Sequence, residues 1–196
     1  MNVVRLDRSR YGEASAVLAR AFQDDPAWSW LFPDPDRRRD VMPWLFRLGF
    51  EMSTADVWGA EEPIVGAARW LPPGRPAVRV APTLRALALT PLRLGATTMP
   101  FLAYGRAVEV MRAQAAAGPH WYLAGIGVEP SRQREGIGGE LLRPGLRAAR
   151  QAGVPAVLLT NTERNISFYR RHGFEVVLEG ATPEDGPHAW AMVAHP

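Results

Sequence analysis

The sequence predicts one α/β domain in which helices cover a mixed sheet. Two features of the chain predict it. Short apolar segments alternate with longer ones whose apolar residues recur every three or four positions, and the chain ends on a pair of strand-like segments. At 196 residues, a single domain spanning 1–196 is the default, with room for a substantial buried core.

Taken in order, Val3 to Leu6 reads as a first strand. The first helix follows, with Tyr11, Ala14, Leu18, Ala21 and Phe22 on one face. Asp24-Asp25-Pro26 breaks it, ahead of the aromatic run from Trp28 to Pro33. A second helix fits residues 36 to 52, where Val41, Trp44, Leu45, Leu48 and Met52 share a face. Residues 56–60 and 64–71 read as paired strands, with Glu61-Glu62-Pro63 as the turn and Pro72-Pro73-Gly74 as the stop. Residues 83 to 117 are helical in pattern but interrupted at Pro91 and Pro100, with Phe101, Tyr104, Val108, Met111 and Ala115 forming the stripe of the last helix. The apolar run from Leu84 to Leu94 is no membrane span, because Arg85, Pro91 and Arg93 interrupt it. His120 to Val128 is a strand, residues 136 to 152 a helix with Gly153 as its C-cap, and Pro155 to Thr160 a buried strand. Pro144 lies inside that helix and predicts a kink near Glu140 to Pro144. Asn165 to Arg171 is a short helix closed by Gly173, and residues 174–178 and 189–193 form the terminal pair.

Composition narrows the chemistry. Cysteine is absent, which excludes disulfides, thiolate catalysis and Cys-ligated metals. Every basic residue is Arg, which excludes a lysine nucleophile and lifts the pI to about 9.9 although the net charge is only +3. A nucleic-acid binder needs a concentrated basic stripe, and Arg37-Arg38-Arg39 is too short for one and sits among acids. The first residues lack the apolar core of a signal peptide, so the chain reads as cytoplasmic, with no metal, nucleic acid or membrane among its expected partners.

The most informative stretch runs from Val128 to Leu142. A strand ends, a polar loop turns, and Gly136, Gly138 and Gly139 open an apolar helix. A helix start offers unpaired N–H donors at the positive end of its dipole, and glycine lets backbone approach a ligand closely. Together they make an anion cradle suited to a pyrophosphate, with Arg132 and Arg134 at its rim. The alternative is a tight strand–helix turn with no ligand. The rival phosphate motifs fit badly: the order is G-x-G-G where a dinucleotide fingerprint needs G-x-G-x-x-G, and a P-loop needs a Lys.

The Gln133-x-x-Gly136-x-Gly138 pattern, preceded by Val128-x-Pro130, resembles the acyl-CoA signature of the GNAT acetyltransferase superfamily. Downstream, Asn165 to Phe174 resembles that family's Asn…Phe-Tyr…Gly-Phe segment, at the expected separation. Within the family the chain is similar to the puromycin N-acetyltransferase-like subgroup, through residues 153–156, Arg164-Asn165 and Phe168-Tyr169. The resemblance implies a GNAT-like, largely antiparallel sheet with a splayed central strand pair. It also implies direct transfer of acetyl from acetyl-CoA to an amine, catalysed by positioning and by donors aimed at the developing oxyanion. The acceptor would be a small-molecule amine, such as an antibiotic or other xenobiotic. The rival readings are acetylation of a protein N-terminus or lysine, and a non-catalytic acyl-CoA-binding sensor. Dimers are common in the family, and no residue here compels one.

Residue by residue, the resemblance assigns acetyl-CoA to Ile126, Gly127 and Val128 of the strand before the signature. It adds Gln133, Arg134, Glu135, Gly136, Ile137, Gly138 and Gly139 of the signature, and Asn165, which could equally cap its own helix. Gly125 and Gly127 interrupt an apolar strand, which suits a bulge or a close approach. Tyr169 is the catalytic candidate, protonating the departing thiolate. Leu159 stands where puromycin-type relatives carry a glutamate, which leaves the base to His120, Asp24, Asp25 or an ordered water. The acceptor pocket is expected from Asp25, Trp28, Trp30, Tyr104 and Trp121, with Phe32 beside them.

Overall fold

Two early helices begin on the same dipeptide. Asp25 and Asp34 each accept a backbone N–H with their side chains, and Pro26 and Pro35 supply the first helical residue of α2 (Pro26–Leu31) and α3 (Pro35–Met52). The proline expected to break the chain after α1 (Tyr11–Ala21) therefore starts the next helix, and the aromatic run is helical.

The computed structural model describes residues 1–74 and 89–196. The first part of the helical pattern expected from residue 83 falls outside the described residues. Within them, β1 (Val3–Arg5), β2 (Asp56–Ala60) and β3 (Gly66–Leu71) run antiparallel to one another. Ile64 and Val65, expected in β3, are buried in the connection, where Glu61 adopts φ 65° and Val65 N–H bonds back to the Ala60 carbonyl. Next come α4 (Thr98–Ala115), β4 (Trp121–Val128), α5 (Ile137–Ala152), β5 (Ala156–Thr160), α6 (Arg164–Arg170), β6 (Glu175–Ala181) and β7 (His188–Ala194). Pro100 does not interrupt α4, because it falls in the first turn, where its missing N–H has no intrahelical partner. Pro144 likewise sits inside an unbroken α5, which Gly153 closes at φ 64°.

The described strands form one sheet of order β1-β2-β3-β4-β5-β7-β6, antiparallel except where β4 meets β5. That parallel pairing runs only from Trp121↔Ala156 to Leu123↔Leu158. Beyond it, residues 125–128 of β4 stay with β3 while Leu159 and Thr160 of β5 pair only with β7. The register between Arg69↔Gly125 and Trp70↔Leu123 skips Ala124, a bulge that bends β4 at this point. The central pair is thus splayed, and the wedge opens toward the start of α5.

Helices cover both faces. On one, Leu141, Leu142 and Leu146 of α5 pack on Trp70, Leu123, Leu158 and Met192. On the other, Val17 and Leu18 of α1 and Phe50 of α3 pack on Val57 and Ala67, while Met111 of α4 covers Ala189 and Ala191. Glycine governs how closely these layers approach. A Cβ on Gly145 would lie 2.2 Å from the buried Trp70 indole, and one on Gly127 would lie 2.7 Å from the Ala21 Cβ in α1. None of the helices among the described residues is long and apolar enough to cross a membrane.

Candidate active site

The wedge between β4 and β5 opens into a cleft of about 750 Å³. One wall is Ile126, Gly127 and Val128 of β4; the floor is the start of α5; the far wall is α6 with Asn165, Phe168 and Tyr169. Asp24, Asp25 and Phe22 close the side next to α1.

The α5 end supplies donors. Gly136 precedes the helix at φ 84°, a left-handed conformation suited to glycine, and no side chain caps the helix. Among the described residues no acceptor serves the N–H groups of Ile137 and Gly138, whereas Gly139 N–H already bonds the Gly136 carbonyl at 3.0 Å. Gly138 and Gly139 themselves admit α6: a Cβ would lie 3.2 Å from Phe168 Cζ on the first and 3.0 Å from His172 Cε1 on the second. Their smallness serves helix packing as well as any ligand.

Charge follows the same layout. Six arginines line the cleft. Arg20 pairs with Glu129, Arg132 with Glu135 and Glu61, and Arg143 with Glu140. Arg134, Arg164 and Arg171 have no ion-pair partner among the described residues. The cleft thus joins free backbone donors to three uncompensated guanidiniums, which fits a polyphosphate group.

The inner end has different chemistry. Tyr169 is 6% exposed and held by edge contacts with Phe168 and Phe174, at ring-centroid distances of 5.1 and 5.9 Å. Burial pushes its phenol above the ordinary tyrosine value, and the negative Asp25 adds to the shift, so the hydroxyl keeps its proton. Asp25 is itself pushed up, chiefly by burial. Its Oδ1 accepts Ala27 N–H at 3.0 Å and Trp28 N–H at 3.4 Å, and its Oδ2 accepts the Thr162 hydroxyl at 3.4 Å. These bonds and the positive Arg164 oppose the shift.

Of the residues expected to hold acetyl-CoA, all line the cleft except Glu135, whose carboxylate turns away to Arg132 at 2.8 Å. Gln133 lines it but spends an amide N–H on the Val128 carbonyl at 3.3 Å. Tyr169 lies in the same cleft, and of the expected acceptor residues only Asp25 does. Trp28 and Trp30, with Tyr104, pack on a core of Leu31, Phe32, Val41, Leu45 and Leu94, because the helical run turns these rings toward α3 and α4. Tyr104 donates to Asn161 Oδ1 at 2.8 Å. Trp121 sits at the closed end of the splayed pair, about 16 Å along an extended strand from Ile126. His120 does not line the cleft; its Nδ1 lies 2.9 Å from the Gly118 carbonyl. Leu159 packs in the apolar layer under α4. Sequence reasoning passed over Thr162, Arg164, Arg171 and His172. Three of these flank the Asn165–Tyr169 motif, whereas Thr162 carries no signal short of the fold.

The sequence matches the acetyltransferase (GNAT) family over residues 19–174. The chain belongs to that family. Solved structures share the fold at low identity. A histone acetyltransferase HPA2 and related acetyltransferase from Corynebacterium glutamicum superposes with a TM-score of 0.68 at 22% identity, covering 100% of this chain and 96% of that one. A polyamine N-acetyltransferase of Drosophila melanogaster gives 0.65 at 16%, covering 100% and 99%. An aminoglycoside 6'-acetyltransferase type Ii gives 0.56 at 14%, covering 100% and 97%. As a GNAT acetyltransferase the chain falls in a family that uses acetyl-CoA as co-substrate, and the free donors at Ile137 and Gly138 fit its pyrophosphate.

Proposed function

We propose that this GNAT protein transfers acetyl from acetyl-CoA directly to the amine of a small molecule. The observation that carries the reading is one cleft with two chemically distinct ends. Free helix donors and unpaired arginines form the outer end, and a buried carboxylate and a protonated phenol form the inner one. Acetyl-CoA, when bound, supplies the thioester. Asp25 accepts the proton that the amine must lose, and its raised pKa makes it a better base than a surface aspartate. The backbone groups of residues 124–128 that point away from β3, left without a β5 partner by the splay, face the reacting carbonyl. Tyr169 donates its proton to the departing sulfur and recovers it from solvent. One N–C bond forms as one C–S bond breaks, so no acyl-enzyme is required. The acetylated amines of the polyamine and aminoglycoside enzymes support a small amine as acceptor. The likeness to the puromycin N-acetyltransferase-like subgroup points the same way without naming the acceptor.

Calorimetry with acetyl-CoA and free CoA tests the outer end. The native chain should bind in the micromolar range, and Gly138→Glu should abolish binding by placing a carboxylate in the cradle. Thiol release with an amine panel then tests transfer. Failure of the native chain to bind either ligand would overturn the proposal.

A further inference from the structure

On the sheet face covered by α1, α3 and α4, next to the splay, Arg69 of β3 reaches toward α3. Its Nη1 lies 3.0 Å from where a Cβ on Gly49 would stand, so Gly49 leaves the space the guanidinium occupies. Arg69 is only partly exposed, and its Nε is sealed from solvent with no hydrogen-bond partner among the described residues. None of the described residues forms an ion pair with it. Among the described residues the one carboxylate within electrostatic reach, Glu109, is already paired with Arg112. Arg112 stacks over the Tyr122 ring at 4.8 Å, and its Nε is also buried without a partner. The other neighbours, Tyr122 and Tyr11, are neutral phenols, and burial pushes both further from ionisation. Leu159, packed against Tyr122 on this face, brings no charge.

A guanidinium cannot shed its proton, so an unpaired one in such a place is destabilising unless an anion completes it. The position suits a ligand. Arg69 pairs in register with Gly125, beside the β4 bulge, and Gly125 precedes the cleft wall at Ile126. Among the described residues, none comes within 4 Å of where a Cβ on Gly125 would stand.

We propose that Arg69 takes the carboxylate of the acceptor, so that the substrate class is an amine that also carries an acid group, an amino acid or close analogue. The proposal rests on the acetyltransferase reading above. The fork geometry of arginine binds a carboxylate through two parallel bonds, and a site built for such bonds rejects the analogue lacking them.

The test uses matched pairs that differ only in the carboxylate: tryptophan and tryptamine, phenylalanine and phenethylamine, arginine and agmatine. Wild type, Arg69→Gln and Arg69→Met are assayed for thiol release and for thermal shift by each compound. The acid member of at least one pair should be preferred by about 100-fold in kcat/KM. Both substitutions should erase that preference and leave the decarboxylated partner's rate within a few fold. The acid should also raise the wild-type Tm and not that of the variants, a readout independent of turnover. Calorimetric binding of acetyl-CoA to the variants confirms that they fold. Equal loss on both members of every pair, or no carboxylate-dependent preference and no shift, would overturn the proposal. A preference for succinyl-CoA over acetyl-CoA that Arg69→Gln removes would place the carboxylate on the donor and overturn it too. In each overturning case, intact acetyl-CoA binding and transfer to simple amines would leave the acetyltransferase reading standing.

Discussion

Replacing Tyr169 with Phe removes one oxygen and nothing else that the fold uses. The ring stays in its edge contacts with Phe168 and Phe174. No hydrogen bond contributes to the raised pKa of the hydroxyl, which faces the cleft, so the substitution orphans no protein donor or acceptor. Stability should therefore change by no more than about 0.5 kcal/mol. For a chain of this size that is a Tm within about 2 °C of wild type. Acetyl-CoA should bind with unchanged affinity, because the donors proposed to meet its phosphates lie at the start of α5. Turnover should behave differently. A positioned general acid contributes about 10²–10⁴-fold, so the rate should fall by that factor, a barrier increase of about 3–5 kcal/mol at 1.36 kcal/mol per tenfold. Because burial holds the phenol protonated, wild-type activity should show no alkaline loss from Tyr169 in the neutral range. The assay is single-turnover thiol release at saturating donor, beside calorimetry and a melting curve. A rate within threefold of wild type, with binding and stability intact, would show that the sulfur takes its proton from water.

Asp25→Asn keeps an N-cap of comparable quality, so α2 should persist while turnover falls at least about 100-fold. The acid limb of the wild-type kcat/KM profile, set by the raised carboxylate, should vanish with it. The stability consequence has a definite sign. A folded pKa above the unfolded value near 3.9 favours folding most at low pH, and that contribution is lost as pH rises through the folded value. At pH 7 Asp25→Asn should therefore be at least as stable as wild type, with the advantage disappearing below about pH 4 in denaturant melts. Arg164→Gln combined with Arg171→Gln should weaken acetyl-CoA binding about tenfold at ~0.01 M salt, and the difference should shrink toward ~1 M as the Debye length falls. A salt-independent difference would place those charges away from the phosphates. Gly145→Ala drives a methyl into the Trp70 indole and should cost about 3 kcal/mol, a Tm loss of at least about 6 °C by calorimetry; an unchanged Tm would mean that α5 can shift off the sheet.

The sheet and its helices were legible because their signals are local. The apolar stripe of α5 and the Asp-Pro helix starts each reside in a few adjacent residues. Signals that depend on an opposing element showed only part of what a position does. Gly127 reads as room for a ligand, and it lines the cleft, but its missing side chain also admits Ala21 and Leu18 of α1. Gly138 and Gly139 read as a phosphate turn, and the structure shows that the same positions let α6 approach. The aromatic residues of α2 suggested a pocket, but helical geometry buries their rings against α3.

The proposed acceptor site was the least legible because the property it rests on is a missing interaction. In the sequence Arg69 is one arginine among 23 basic residues in a chain of net charge +3, and nothing separates it from those that find acids. Arg10, Arg20 and Arg132 have glutamate partners, and those pairs lie at least partly in solvent, where the attraction is weak and easily replaced by water. Arg69 is only partly exposed, its Nε is buried, and it pairs in register with Gly125 beside the β4 bulge. Its isolation arises from β3 register, from Gly49 in α3 and from the Glu109–Arg112 pair in α4 together. Three elements far apart in sequence must assemble before the charge becomes unpaired, so the proposed substrate preference is legible only in the fold, whereas the proposed reaction centre is legible in the motif.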